Sequence, residues 1–109
     1  MKYYLAIDIG ASSGRHILAH LEGNKMITEE IYRFSNGPET LPGTPGALGT
    51  QNSRRLMWNA ERLFAEILNG LKKAGEMNKI PCSVGVDTWG VDYVLLDGED
   101  KPIDGVYCY

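Results

Sequence analysis

The stretch from Tyr3 to Leu21 constrains the fold more than any other part of the chain. Tyr3 to Ile9 is apolar and rich in strand-forming residues. So nearly continuous a hydrophobic run predicts a strand buried on both faces. The chain then crosses Gly10, Ala11, Ser12, Ser13 and Gly14 and re-emerges at Arg15 with alternation, His16, Leu18 and His20 against Ile17, Ala19 and Leu21. A period of two is the strand period, so the first connection is a hairpin. Glu22, Gly23, Asn24 and Lys25 turn the chain again, and Met26 to Phe34 returns as a third strand with Ile27, Ile31 and Tyr32 as its apolar bulk. An antiparallel three-strand meander opens the molecule.

The remainder adds a helix and further strands. Gly37-Pro38, Pro42-Gly43 and Pro45-Gly46 break any periodicity between Ser35 and Gln51, which reads as a long exposed loop. Asn59 is a suitable N-cap for a helix in which Leu63, Phe64, Ile67, Leu68 and Leu71 form one apolar face and Gly75 is the stop. Val84 and Val86, then Val91, Val94, Leu95 and Leu96, read as two more strands before a turn at Asp97 to Asp100. This order predicts an α/β fold with a mixed sheet covered by at least one helix. A last extended segment starts at Asp104 and the sequence stops inside it at Tyr109, so residues 1–109 read as a truncated domain.

Composition narrows the class. With 109 residues, 43% hydrophobic and 23% charged, the chain suits one globular core rather than a disordered tail or a fibre. Its formal charge of -3 provides no basic surplus, which argues against nucleic-acid and anionic-membrane partners. The apolar run before Asp8 is too short for a signal-peptide core or a membrane span, so a cytoplasmic protein is expected. Cys82 and Cys108 are far apart without a ligand cluster, which predicts two reduced thiols and no zinc.

Two stretches carry chemistry. Asp8 to Arg15 places a carboxylate at a strand end, then glycines around two hydroxyl residues, then a cation. Gly10 and Gly14 would permit positive φ and close backbone approach, letting amides converge on an anion, with Ser12 and Ser13 as further donors. A phosphate fits such a turn. Arg15 could clamp it, and Asp8 could hold Mg2+ through water. A plain Gly/Ser hairpin turn satisfies the same spacing, which is neither Gly-x-x-x-x-Gly-Lys-Ser/Thr nor Gly-x-Gly-x-x-Gly. The second stretch, Val86 to Asp97, brings two strand patterns together at Asp87, Thr88, Trp89 and Gly90. Asp87 and Asp92 have the chemistry of a general base, or of groups that orient strands.

In this order and separation, the two stretches resemble the L-rhamnulose branch of the FGGY carbohydrate kinases, a likeness running from Tyr4 to Tyr109. The resemblance implies two ribonuclease H-like, actin-like ATPase domains around a cleft, this chain being the opening half of the first. It implies that Ala11, Ser12, Ser13, Gly14 and Arg15 form the first phosphate loop for ATP, that Asp8 lies near Mg2+, and that Gly90 lines the sugar site. Trp89 is either an apolar wall there or ordinary core. In such kinases the general base is an Asp much later in the first domain, so it is expected beyond Tyr109, with Asp87 and Asp92 orienting strands or contacting sugar hydroxyls. No turnover is then expected of these 109 residues alone. Glycerol kinases carry Gln-Arg-Glu-Thr where this chain has Trp89, Gly90, Val91 and Asp92, which disfavours glycerol. L-rhamnulose is the implied acceptor. Another FGGY sugar kinase, of the fuculose or xylulose type, and an actin- or chaperone-like ATPase are the rival readings.

Overall fold

A computed structural model describes residues 1–42 and 54–108. The chain divides into two compact units, one of residues 1–36 with 62–89, the other falling within 37–61 and 90–109.

The first unit is built on a four-stranded sheet. β1 (Tyr3–Ile9), β2 (Ser13–Glu22) and β3 (Lys25–Ser35) form the expected antiparallel meander, and β6 (Pro81–Asp87) adds to the free edge of β1 in parallel, giving the order β3-β2-β1-β6. A parallel neighbour needs a long crossover, and the helix α1 (Ala60–Glu76) lies on that connection. The β2–β3 turn has Gly23 at φ 61, the left-handed conformation that a two-residue hairpin asks of its first central position.

Only one face of β1 is buried. Leu5, Ile7 and Ile9 join Leu18 and Phe34 in the core, while Tyr4 and Ala6 are exposed and Asp8 is half-buried. The expectation of burial on both faces is corrected: the apolar run is continuous, but the described chain covers only the side that meets α1. The helix contacts that core through Leu63, Ile67 and Leu71, with Gly70 and Ala74 fully covered. Phe64, 61% exposed, and Leu68 fall outside the contact, so the buried stripe is narrower than the apolar face read from sequence.

Gly75 is not the stop. It remains helical, and the chain leaves the helix at Asn78, whose φ is 57. The Asn78 amide donates to the Gly75 carbonyl at 2.9 Å and the Lys79 amide to that of Ala74 at 3.0 Å. This is a Schellman cap with Asn in the left-handed position usually given to Gly.

In the second unit β4 (Glu39–Pro42), β5 (Arg54–Trp58) and β7 (Val106–Tyr107) form an antiparallel sheet in that order, and Met57 and Trp58 are buried. The loop expected over Ser35–Gln51 is therefore partly strand, because Glu39–Pro42 finds a partner in Arg54–Trp58; the remaining part, 43–51, lies outside the described residues. The strand expected over Val91–Leu96 is absent apart from a bridge between Leu96 and Pro102. Apolar residues make a strand only where another edge takes their backbone groups in succession, and among the described residues the segment gains only this short contact, with the Ile103 amide donating to the Leu95 carbonyl at 2.9 Å. The turn at Asp97 forms as expected, its carboxylate accepting the amides of Glu99 (2.8 Å) and Lys101 (3.0 Å). No helix among the described residues is long and apolar enough to cross a membrane.

Candidate functional site

Parallel pairing of β1 with β6 sets the chemistry of the first unit. Asp8 is the cross-strand partner of Asp87 on one side and of Arg15 on the other. Residues directly opposite in a sheet project from the same face, so two carboxylates and a guanidinium stand in a row. Leu5, Ile7 and Ile9 point to the other face, into the core, leaving Asp8, Arg15 and Asp87 on the side away from α1. Arg15 Nε donates to Asp8 Oδ2 at 3.2 Å, with both side chains a little under half exposed. Asp87 is held above the usual carboxylate range, first by its hydrogen bond with Asp8 and then by the repulsion of that neighbouring charge.

The turn of residues 10–13 follows one residue pair beyond this row, where β1 passes into β2. Its Gly10 amide donates to the Ser13 carbonyl at 2.8 Å, which closes the hairpin. Just beyond β3, Asn36 donates its side-chain amide to the Gly10 carbonyl at 2.9 Å and its backbone amide to the Ser12 carbonyl at 3.0 Å. The amides of Ala11 and Ser12 have no acceptor among the described residues, and Gly10, Ala11 and Ser12 are exposed. Free amides next to a cation have the chemistry that anion-binding turns use.

Ala11, Ser12, Ser13, Gly14, Arg15 and Asp8 thus come together at the carboxyl end of β1, beside the carboxyl end of β6, where open α/β sheets bind ligands. The glycines, however, act differently from the expectation. Neither Gly10 nor Gly14 has positive φ, for Gly23 is the single glycine of that kind among the described residues. Gly14 is buried, and a Cβ there would lie 2.1 Å from the Phe34 ring, so its missing side chain makes room for the core. Trp89 packs on the core cluster, which favours its reading as core. Gly90 belongs to the second unit, where a Cβ on it would meet nothing within 4 Å.

Sequence reasoning placed Asp87 with strand orientation or sugar contact and did not foresee it beside Asp8. The signal that could have found it is the shared ending of two buried-strand patterns in Asp, Ile-Asp at 7–8 and Val-Asp at 86–87. Among the described residues no group of three or more His, Cys, Asp or Glu is arranged to hold a metal ion. Two adjacent carboxylates are nevertheless hard oxygen donors of the kind Mg2+ takes alongside water.

No protein-family model matches the chain. Among curated proteins it is 41% identical over 109 residues to the rhamnulokinase of Halalkalibacterium halodurans, covering 100% of this chain and 21% of that protein. The rhamnulokinase of Ligilactobacillus salivarius is also 41% identical over 109 residues, with 20% of its length covered. That of Bacillus subtilis is 42% identical over 94 residues, 86% of this chain and 17% of its own. The chain spans about a fifth of the length of these relatives. Among solved structures, the ligand-bound xylulose kinase of Lactobacillus acidophilus superposes with a TM-score of 0.64 at 11% identity, over 98% of this chain and 19% of that one. The superposition supports the ribonuclease H-like fold.

Proposed function

This chain belongs, along its whole length, with the rhamnulokinases of the FGGY carbohydrate kinase family, and on that footing we propose that it forms part of the first domain of a kinase that phosphorylates L-rhamnulose at its terminal hydroxyl with ATP. The observation that carries the reading is the 41% identity to rhamnulokinases over all 109 residues. The row of Asp8, Arg15 and Asp87 next to a turn with unused amides is the physical counterpart.

In this reading the Ala11 and Ser12 amides, with the Ser12 and Ser13 hydroxyls, take phosphate oxygens of the nucleotide, and Arg15 exchanges part of its bond to Asp8 for a bond to phosphate. The carboxylates of Asp8 and Asp87 hold hydrated Mg2+. The metal, when bound, neutralises charge on the transferring phosphoryl group. Gly90 lets the ketose approach the backbone. The base that takes the hydroxyl proton belongs to another part of the polypeptide, so residues 1–109 alone do not turn over.

The test is an assay of the complete polypeptide that contains these residues, with ATP and a panel of ketoses and polyols. L-rhamnulose should give the highest kcat/KM, with transfer to its terminal hydroxyl. Preference for a fuculose- or xylulose-type ketose would move the assignment to another FGGY kinase, and ATP hydrolysis without sugar phosphorylation would favour an actin- or chaperone-like ATPase.

A further inference from the structure

We infer that Asn36 is a positioning residue for the nucleotide, acting through the turn of residues 10–13 without touching the phosphates itself. The inference rests on the reading of that turn as the phosphate loop. Asn36 grips the turn at two alternate peptide units, its side-chain amide on the Gly10 carbonyl (2.9 Å) and its backbone amide on the Ser12 carbonyl (3.0 Å). A peptide unit is planar and trans, so its carbonyl and its N–H point in opposite directions. Drawing the Gly10 carbonyl towards Asn36 therefore turns the Ala11 N–H, one of the two unused donors of the turn, away from it, while the bond to the Ser12 carbonyl anchors the far side of the turn. One residue thereby sets the direction of a donor and holds the turn that carries it.

Its own position is fixed from behind. Arg62 of α1 donates to the carbonyl of Ser35, the residue before Asn36, which ties the end of β3 to the helix. Without the side-chain bond the Gly10–Ala11 peptide is free to rotate in an exposed turn, and the order it would need must come out of the binding energy of the nucleotide. The Gly10 amide is already committed to Ser13, so the turn keeps its hairpin shape while losing direction in its donors.

Asn36→Val and Asn36→Leu, made in the complete polypeptide, both remove the amide donor without adding a charge beside the turn. Each should raise the KM for ATP about three- to tenfold, the worth of one ordinary hydrogen bond, and leave the KM for the ketose unchanged. An unaltered ATP KM in both variants, or an equal rise in both KM values, would overturn the inference. Ala11→Glu separates this from the underlying reading, because a carboxylate set into the turn repels a triphosphate. If Ala11→Glu weakens ATP and the Asn36 variants do not, the positioning role fails alone; if Ala11→Glu has no effect on ATP, the phosphate loop is elsewhere and both fall.

Discussion

The ring of Phe34 fills the place where Gly14 would carry a side chain. A Cβ on Gly14 would lie 2.1 Å from Phe34 Cζ, well inside van der Waals contact. Gly14 was expected to serve phosphate approach, and its cost of substitution now belongs first to the core. Gly14→Ala should destabilise the fold by about 1–3 kcal/mol, the usual range for an extra methyl group in a packed interior. Chemical denaturation of the single variants and of Gly14→Ala with Phe34→Leu would measure the coupling. A favourable coupling of at least about 0.5 kcal/mol is expected for residues in contact, and strict additivity would contradict the packing described.

His16 offers a second test, through pH. Its ring is fully buried between β2 and α1, with Nε2 3.2 Å from the Ile67 carbonyl and Nδ1 without a partner. Gly70 makes room for it, since a Cβ there would fall 2.0 Å from His16 Cδ2. Burial holds its pKa below the ordinary value, against smaller opposing effects of the Ile67 bond and the Glu66 charge. The unfolded chain then binds the proton more readily, so the stabilisation is complete above the ordinary value of about 6.5 and is lost as pH falls from there through the lowered folded value. Unfolding free energy should drop across that window by up to about 1.4 kcal/mol per pH unit, the slope of one proton. In His16→Gln the drop should disappear, and a slope that persists there would assign it to another group.

How far the fold was legible follows from where its determinants lie. The β1–β2–β3 meander was readable because alternation and turn residues are local. The β4–β5 pair was not, since its strands are short, carry Pro42 at one end, and meet across a Pro/Gly-rich connection. Val91 to Leu96 failed in the opposite direction: the pattern is strong, yet a strand also requires an edge to pair with. In the candidate site, the hairpin turn after Asp8 was legible because its residues are local, whereas the Asp8–Asp87 pairing depends on a parallel register set by the α1 crossover. That Gly14 makes room for the Phe34 ring was not readable, because small size in a sequence does not say which neighbour needs the space.

The helix exit gives a clean stability prediction. Asn78 sits at φ 57, where a Cβ is disfavoured and glycine is not. Asn78→Gly should raise stability by a few tenths to about 1 kcal/mol, and Asn78→Ala should lower it by about as much, since Ala retains the Cβ and lacks the side-chain amide that lets Asn tolerate this conformation. Thermal unfolding of the two variants decides it. An Ala variant as stable as the Gly one would mean that residue 78 does not adopt the left-handed cap.

The last prediction concerns the paired carboxylates. Asp87 is raised above the usual carboxylate range by its hydrogen bond with Asp8 and by that neighbour's charge. A group raised on folding stabilises fully below its unfolded value, and that contribution is lost as pH rises through the folded one. Once Asp87 has lost its proton, two carboxylates stand side by side, and Arg15 is bonded to Asp8. Asp87→Asn keeps a hydrogen-bond donor for Asp8 without the second charge, so it should be more stable than the parent at neutral pH and lose that advantage in acid. Added Mg2+ should reverse the order, because a divalent cation favours two carboxylates over one. Thermal unfolding with and without Mg2+ across this pH range would show the crossover. Equal Mg2+ stabilisation of the parent and of Asp87→Asn would remove Asp87 from the proposed metal site.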